Sequence, residues 1–246
     1  MASIASQLVL HPVTSQSLRV LNTSVGRDKL YRGLQYLARF LAWLLLSRGY
    51  KIQAARWDAL KSHLALGRKL LRLGKFMESA QAVLRAIAAP GETGERVTLI
   101  GRQVGYFAYL LLDNVAWANN IKFYNLQPST AQKLNKRVMQ FWFTGIVFSI
   151  ANGLLKAGRL ANEVKKLQSQ TWTEKSAEAE RDLKLHNLQL TRESVRYQFV
   201  IDILDVWIPA TAIGFVNLND GVLGVFGIIT SVMALRQQWF AAAGKK

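Results

Sequence analysis

Two aspartates, Asp202 and Asp205, stand one helical turn apart in the apolar stretch YQFVIDILDVWIPATAIGFVNL, residues 197–218. There, desolvation can raise a carboxyl pKa and permit proton relay. Helix capping or hydration at an interface explains the same pair without any reaction, and is the stronger reading. Other reactive residue types are sparse. His11, His63 and His186 are far apart with no ligand-spaced partner, so no metal site is expected. The sequence has no cysteine, which removes disulfides, thiolate ligands and a cysteine nucleophile. It contains no GxxxxGK[ST] loop, and the glycines of GVLGVFG (221–227) do not follow a strand as a dinucleotide fingerprint would. No catalytic residue and no cofactor are expected, which argues against an enzyme.

Phosphate contact is the chemistry that the residues do offer. From Trp57 to Ala88, at about 100° per residue, Leu66, Leu70, Leu73, Met77, Ala80, Leu84 and Ile87 fall in one stripe. Lys61, Arg68, Arg72 and Lys75 fall on the other side, and Lys69 stands at the edge of the stripe. Such a helix can lie flat in the headgroup zone of an anionic membrane, its basic side chains on phosphates. It can equally be one wall of a soluble helical bundle.

Composition favours the membrane. Of 246 residues, half are hydrophobic, yet 32 Lys and Arg against 15 Asp and Glu give a net charge of +17. Such basicity calls for a polyanionic partner, nucleic acid or acidic lipid. The aromatic residues lie mostly in apolar runs, and a soluble nucleic-acid binder has no need of the 18-residue uncharged run at 138–155. No nucleic-acid partner is expected; an anionic phospholipid membrane is. Basic residues concentrate before residue 104, with 16 Lys and Arg against 5 Asp and Glu.

The elements that must position these residues read as helix almost throughout. Only four prolines occur, and no strand alternation is sustained. The expected fold class is all-α: a membrane-associated helical protein with amphipathic N-terminal helices and apolar, partly membrane-spanning C-terminal helices. Four regions follow: 1–94, basic and amphipathic; 95–158, apolar, with an interfacial helix at 95–124 and a candidate span at 138–155; 159–196, a polar linker of mixed charge; and 197–246, an apolar hairpin ending in a Gly-rich helix. Asn22-Thr23-Ser24 caps a helix over 26–50, in which Asp28 is expected to pair with Arg32 in a solvated first turn. After Pro128, Ser129 or Thr130 is the expected cap. Further candidate spans are 199–218 and 221–235. Gly221, Gly224, Gly227 and Ser231 share one face of the last helix, which suits close packing within a hairpin or between copies. No secretory signal and no Ser-Lys-Leu-type terminus is read.

The words VGRDKLYRGLQYLARFLAW (25–43) and RKLLRLGKFMESAQ (68–81), the apolar segment 107–117 and the closing Gly-rich helix come in an order that resembles the peroxin-eleven family of peroxisomal membrane proteins, closest to its fungal members. The resemblance covers nearly the whole chain. It implies a protein of the peroxisomal membrane that elongates and remodels that membrane before fission, self-associates, and works with a dynamin-related fission GTPase and its membrane receptor. In the family an N-terminal amphipathic helix inserts into one leaflet, and the matching positions here are the stripe above. Leu66, Leu70, Leu73, Met77, Leu84 and Ile87 would be the inserted residues, and Lys61, Arg68, Lys69, Arg72 and Lys75 the contacts to acidic lipid. The alternative is a pore-forming metabolite channel, with Asp113, Asp202 and Asp205 facing an aqueous path.

Overall fold

The computed structural model describes residues 4–169 and 175–244. Among them there are helices and no strand: α1 (Ile4–Val9), α2 (Pro12–Leu21), α3 (Ser24–Ser47), α4 (Lys51–Leu70), α5 (Phe76–Ala88), α6 (Thr93–Asn120), α7 (Pro128–Ser169), α8 (Lys175–Asp205), α9 (Trp207–Ile213) and α10 (Asp220–Ala242). The fold is all-α, as the sequence implies. The longer helices close a ring: α4 packs on α3, α3 on α10, α10 on α8, α8 on α7, α7 on α6, and α6 back on α4.

Local chemistry sets the helix ends. Thr23 caps α3, its Oγ1 accepting from the Gly26 amide at 2.9 Å, and Asn219 caps α10, its Oδ1 accepting from the Val222 amide at 2.9 Å. Each satisfies an otherwise orphaned donor of a first turn. Neither Ser129 nor Thr130 caps α7, because the helix already begins at Pro128. Proline suits a first helical position, where its missing N–H costs nothing.

The single helix expected over 57–88 is two. After Leu70 the chain tightens through i to i+3 hydrogen bonds at Arg72, Leu73 and Lys75, and Gly74 takes φ +75°, a left-handed conformation that favours glycine. The candidate span at 199–218 is also interrupted, since α8 ends at Asp205 and α9 at Gly214, with φ +89°. The polar helical region 159–196 is carried by the end of α7 and the first part of α8, with 170–174 outside the described residues. By length and composition, α7 is the one described helix fit to cross a membrane, and little of its apolar window is buried.

The glycine face of α10 is used within the chain. Gly221 lies under Trp43, Gly224 under Phe40 and Gly227 under Tyr36, and Ser231 meets Gly33 of α3. A Cβ on Gly227 would stand 2.1 Å from the Tyr36 ring. Small residues on one helix thus admit aromatic side chains from the other, which fixes the α3–α10 spacing. Covered by α3, this face is out of reach of a second copy. The α6–α7 seam is equally tight, where a Cβ on Gly105 would come within 2.8 Å of Gly145 Cα.

Gly227→Val should therefore lower stability by about 1–3 kcal/mol through overpacking. Gly158→Ala, in open space on α7, should be neutral or raise it by about 0.5–1 kcal/mol. Thermal unfolding of the two purified variants in detergent checks the contrast.

Candidate membrane-contacting face and its charged backing

The apolar stripe of α4 and α5 faces outward. Leu70, Leu73, Met77, Leu84 and Ile87 are exposed, from 42 % at Leu73 to 68 % at Leu84, whereas Leu66 is half-buried. The turn at 71–75 advances the chain by three-residue steps, so it breaks the helix without rotating the stripe away. Several large apolar side chains exposed on one short segment are of the kind that marks a protein or membrane contact.

The basic residues behind that strip turn inward. Arg68 donates from Nε to Asp28 Oδ1 at 3.0 Å and from Nη1 to Gln35 Oε1 at 2.6 Å, tying α4 to α3. Lys69 Nζ lies 2.9 Å from Asp113 Oδ1, and Arg72 Nη2 donates to Asp113 Oδ2 at 2.9 Å, tying α4 and the following turn to α6. Arg72 also donates to the Tyr109 hydroxyl at 2.5 Å and stands over that ring at 5.7 Å. These three cations therefore meet carboxylates inside the bundle, where the wheel had set them towards lipid phosphates. Lys61 pairs with Asp58 at the surface, and Lys75 is half-buried without an ion pair among the described residues.

A second set of charges closes the ring. Arg32 donates from Nη2 to Asp205 Oδ1 at 2.6 Å, joining α3 to α8, and its guanidinium lies 5.3 Å from the Tyr36 ring centroid. Asp28 and Arg32 are both buried and take separate partners, so the expected solvated pair between them does not form. Asp202 accepts from Ser149 Oγ at 2.5 Å and from Gln198 Nε2 at 2.8 Å. Asp113, Asp202 and Asp205 line one cavity of about 640 Å³, where Asp113 and Asp205 are each held by cations. None of the three histidines lines it, and no cluster of metal-ligating side chains occurs among the described residues.

The environment shifts the charges it holds. Burial alone would raise the Asp28 carboxyl, but the neighbouring Arg68, Lys29 and Arg72 outweigh it and hold the pKa below the usual carboxylate range. The Lys29 ammonium is pushed down to about 8 by desolvation first and Arg32 second; Asp28 and Asp205 act in the opposite sense, and Arg68 reinforces the fall. Gln35, Tyr109 and Ser149 escaped the sequence reading. Their one signal is a polar side chain inside an otherwise apolar helix, and the partner of each, Arg68, Arg72 and Asp202 in turn, is distant in sequence.

An all-helical bundle with apolar side chains outward and paired charges inward defines the class: a membrane-associated helical protein. Residues 14–239 match the model of the Peroxisomal biogenesis factor 11 (PEX11) family, and the chain belongs to that family. It is 30% identical to "Peroxisomal membrane protein PMP30B" of Candida boidinii, over 97% of this chain and 98% of the relative. It is 25% identical to "Peroxisomal biogenesis factor 11" of Schizosaccharomyces pombe, over 92% and 94%, and 26% identical to "Peroxisomal membrane protein 11A" of Rattus norvegicus, over 89% and 93%. No solved structure matches. The protein is accordingly one of the peroxisomal membrane.

Two outcomes test the charged backing. Asp113→Asn leaves Lys69 and Arg72 without a counter-charge and should cost about 3–5 kcal/mol in denaturant unfolding, whereas Asp58→Asn, which breaks only the surface pair with Lys61, should cost under about 1 kcal/mol. Because folding lowers the Lys29 pKa, its charge opposes folding fully below about pH 8, and that opposition fades as pH rises towards the ordinary lysine value of 10.5. Acetylation of Lys29, followed by mass spectrometry in the folded protein, should accordingly level off around pH 8.

Proposed function

We propose that this chain elongates the peroxisomal membrane before fission by seating the outward face of α4 and α5 in one leaflet, and so promotes peroxisome proliferation. The observation that carries the reading is the exposure of Leu70, Leu73, Met77, Leu84 and Ile87 on a strip whose basic side is fastened to the rest of the bundle. Side chains that enter one leaflet only expand it relative to the other, and bending follows when many copies insert. Burying five such side chains halfway contributes on the order of 4–7 kcal/mol before immobilisation costs. That suffices for reversible adsorption.

The inward ion pairs change how the charges serve this role. Lys61, at the surface beside Asp58, remains on the outer side to meet headgroup phosphates, contributing about 1 kcal/mol near an anionic surface, whereas Lys75 lines the interior cavity. Arg68, Lys69 and Arg72 fasten the wedge to α3 and α6, so that insertion pushes the whole bundle against the leaflet. In this reading copies gather on one membrane by self-association, and the elongated membrane is handed to the dynamin-related GTPase and its receptor. No catalytic step is required of the chain.

A metabolite pore is the second reading, favoured by one observation: Asp113, Asp202 and Asp205 line a common cavity. With Asp113 and Asp205 neutralised by bonded cations, that cavity offers little free negative charge to a permeating cation, and the wedge reading leads.

Full-length protein should tubulate liposomes that contain acidic lipid. Met77→Glu combined with Leu84→Glu should weaken membrane partition at least about tenfold and abolish tubulation, with helix content unchanged by circular dichroism. Unchanged tubulation by that variant would sink the wedge assignment. Removing Arg68 and Arg72 is the wrong test, because it strips Asp28 of its hydrogen-bonded cation and Asp113 of one of its two, and so weakens the support along with the charge.

A further inference from the structure

The cavity inside the ring carries more positive than negative charge. It reaches the surface where the exposed residues Glu78, Ala212 and Gln237 line it, and its volume of about 640 Å³ lies within the range of small-molecule sites. Eight basic side chains line it against five carboxylates. One of the eight, Arg39, is neutralised by Asp220 outside the cavity, at 2.6 Å. Seven cations then face five carboxylates, a surplus of two.

Part of that surplus is Asp113 shared by Lys69 and Arg72; the cations that no carboxylate hydrogen-bonds are three. Arg102 of α6 forms no ion pair among the described residues; its guanidinium lies 5.7 Å from the Tyr106 ring centroid, and its Nε is buried without a hydrogen-bond partner. Lys29 of α3 stands 3.8 Å from Asp28 Oδ2, beyond hydrogen-bond reach, while Arg68 holds the other oxygen at 3.0 Å. Lys75 adds a third charge from the start of α5. Arg102 of α6 and Lys29 of α3 line the same cavity as Asp202 and Asp205 of α8, entering it from different walls. Partly buried cations outnumbering the carboxylates around them are costly to maintain, and a guanidinium with free donors matches phosphate oxygens in geometry.

We propose that this cavity is a binding site for a phosphate-bearing anion, held by Arg102 and Lys29 with Lys75 alongside. A phosphomonoester carries about −1.5 to −2 charges near neutral pH, which balances the surplus of two. The volume exceeds that of inorganic phosphate and leaves room for the group that bears it, whether a lipid headgroup at the cavity mouth or a soluble phosphorylated molecule. The site does not depend on leaflet insertion by α4 and α5.

The test uses the full-length chain in nanodiscs of neutral lipid. Lys29 acetylation is followed at pH 8 with increasing inorganic phosphate, and in parallel with phosphatidic acid added to the nanodisc. A bound phosphate both covers the amine and raises its pKa, so labelling of Lys29 should fall saturably while that of Lys165 does not. Protection by inorganic phosphate assigns a soluble ligand; protection by phosphatidic acid alone assigns a lipid headgroup; either supports the site. Arg102→Gln should weaken the protection about tenfold or more, the loss expected of a charge-assisted hydrogen bond. Arg102 supports no ion pair, so the variant should fold. Absence of protection by both probes in the unsubstituted protein, or equal protection in Arg102→Gln, would overturn the proposal.

Discussion

Asp113 is the point on which the bundle turns. Almost fully buried on α6, it accepts one cation from α4 and another from the turn that follows, and so decides which way the α4–α5 segment faces. A buried carboxylate cannot be left alone, because its desolvation costs several kcal/mol unless cations and hydrogen bonds answer it. Once Lys69 and Arg72 turn in to Asp113, the leucines on the opposite side of the same segment have no direction but outward. The apolar strip is exposed because its basic side is engaged.

The same logic runs round the ring. Arg68 with Asp28 fastens α4 to α3, and Arg32 with Asp205 fastens α3 to α8. Between these ionic joints lie seams of a different kind, in which glycines of α10 receive the aromatic side chains of α3 and glycines of α6 and α7 nearly touch. The seams set distance and the ion pairs set rotation. A helix held by both has little freedom to roll, so a wedge mounted on it transmits its displacement to the other helices. Under the proposed function, that rigidity would serve membrane bending better than a loose surface helix.

The periodicities were legible and their partners were not. The stripe from Leu66 to Ile87 and the small-residue face from Gly221 to Ser231 could be read on a helical wheel, since each is a local pattern. Which body would cover which face depended on residues far away: Asp28 and Asp113 stand roughly 40 positions from the cations they hold, and no spacing rule links them. The break at Gly74 was hidden for a related reason. A turn built from three-residue hydrogen bonds keeps Leu70, Leu73 and Met77 in step, so the pattern runs on where the helix does not. Asp28 and Arg32 misled in the opposite sense, because a pair at i and i+4 looks self-sufficient, yet each is drawn to a stronger partner in the buried interior.

Hydropathy averages conceal the same inversion of faces. Only α7 passes as a span by composition, yet α3, α6, α8 and α10 have 24, 28, 31 and 23 residues, lengths at or above the roughly 20 needed to cross a hydrocarbon core. Each shows apolar side chains to the outside, among them Leu34 and Leu37 on α3, Leu111 on α6, Ile203 on α8 and Val232 on α10. Each of α3, α6 and α8 also carries charges that face inward, and a sum over the helix sets those against the apolar outer residues. A lipid neighbour senses only the outer face, whereas the mean counts both. For a ring whose charges meet one another across a central cavity, the side presented outward is the relevant quantity; it is largely apolar on α3, α6 and α10, whereas α8 exposes charged residues such as Glu180, Lys184 and Arg192 over its first part and apolar ones such as Val200 and Ile203 only near its end.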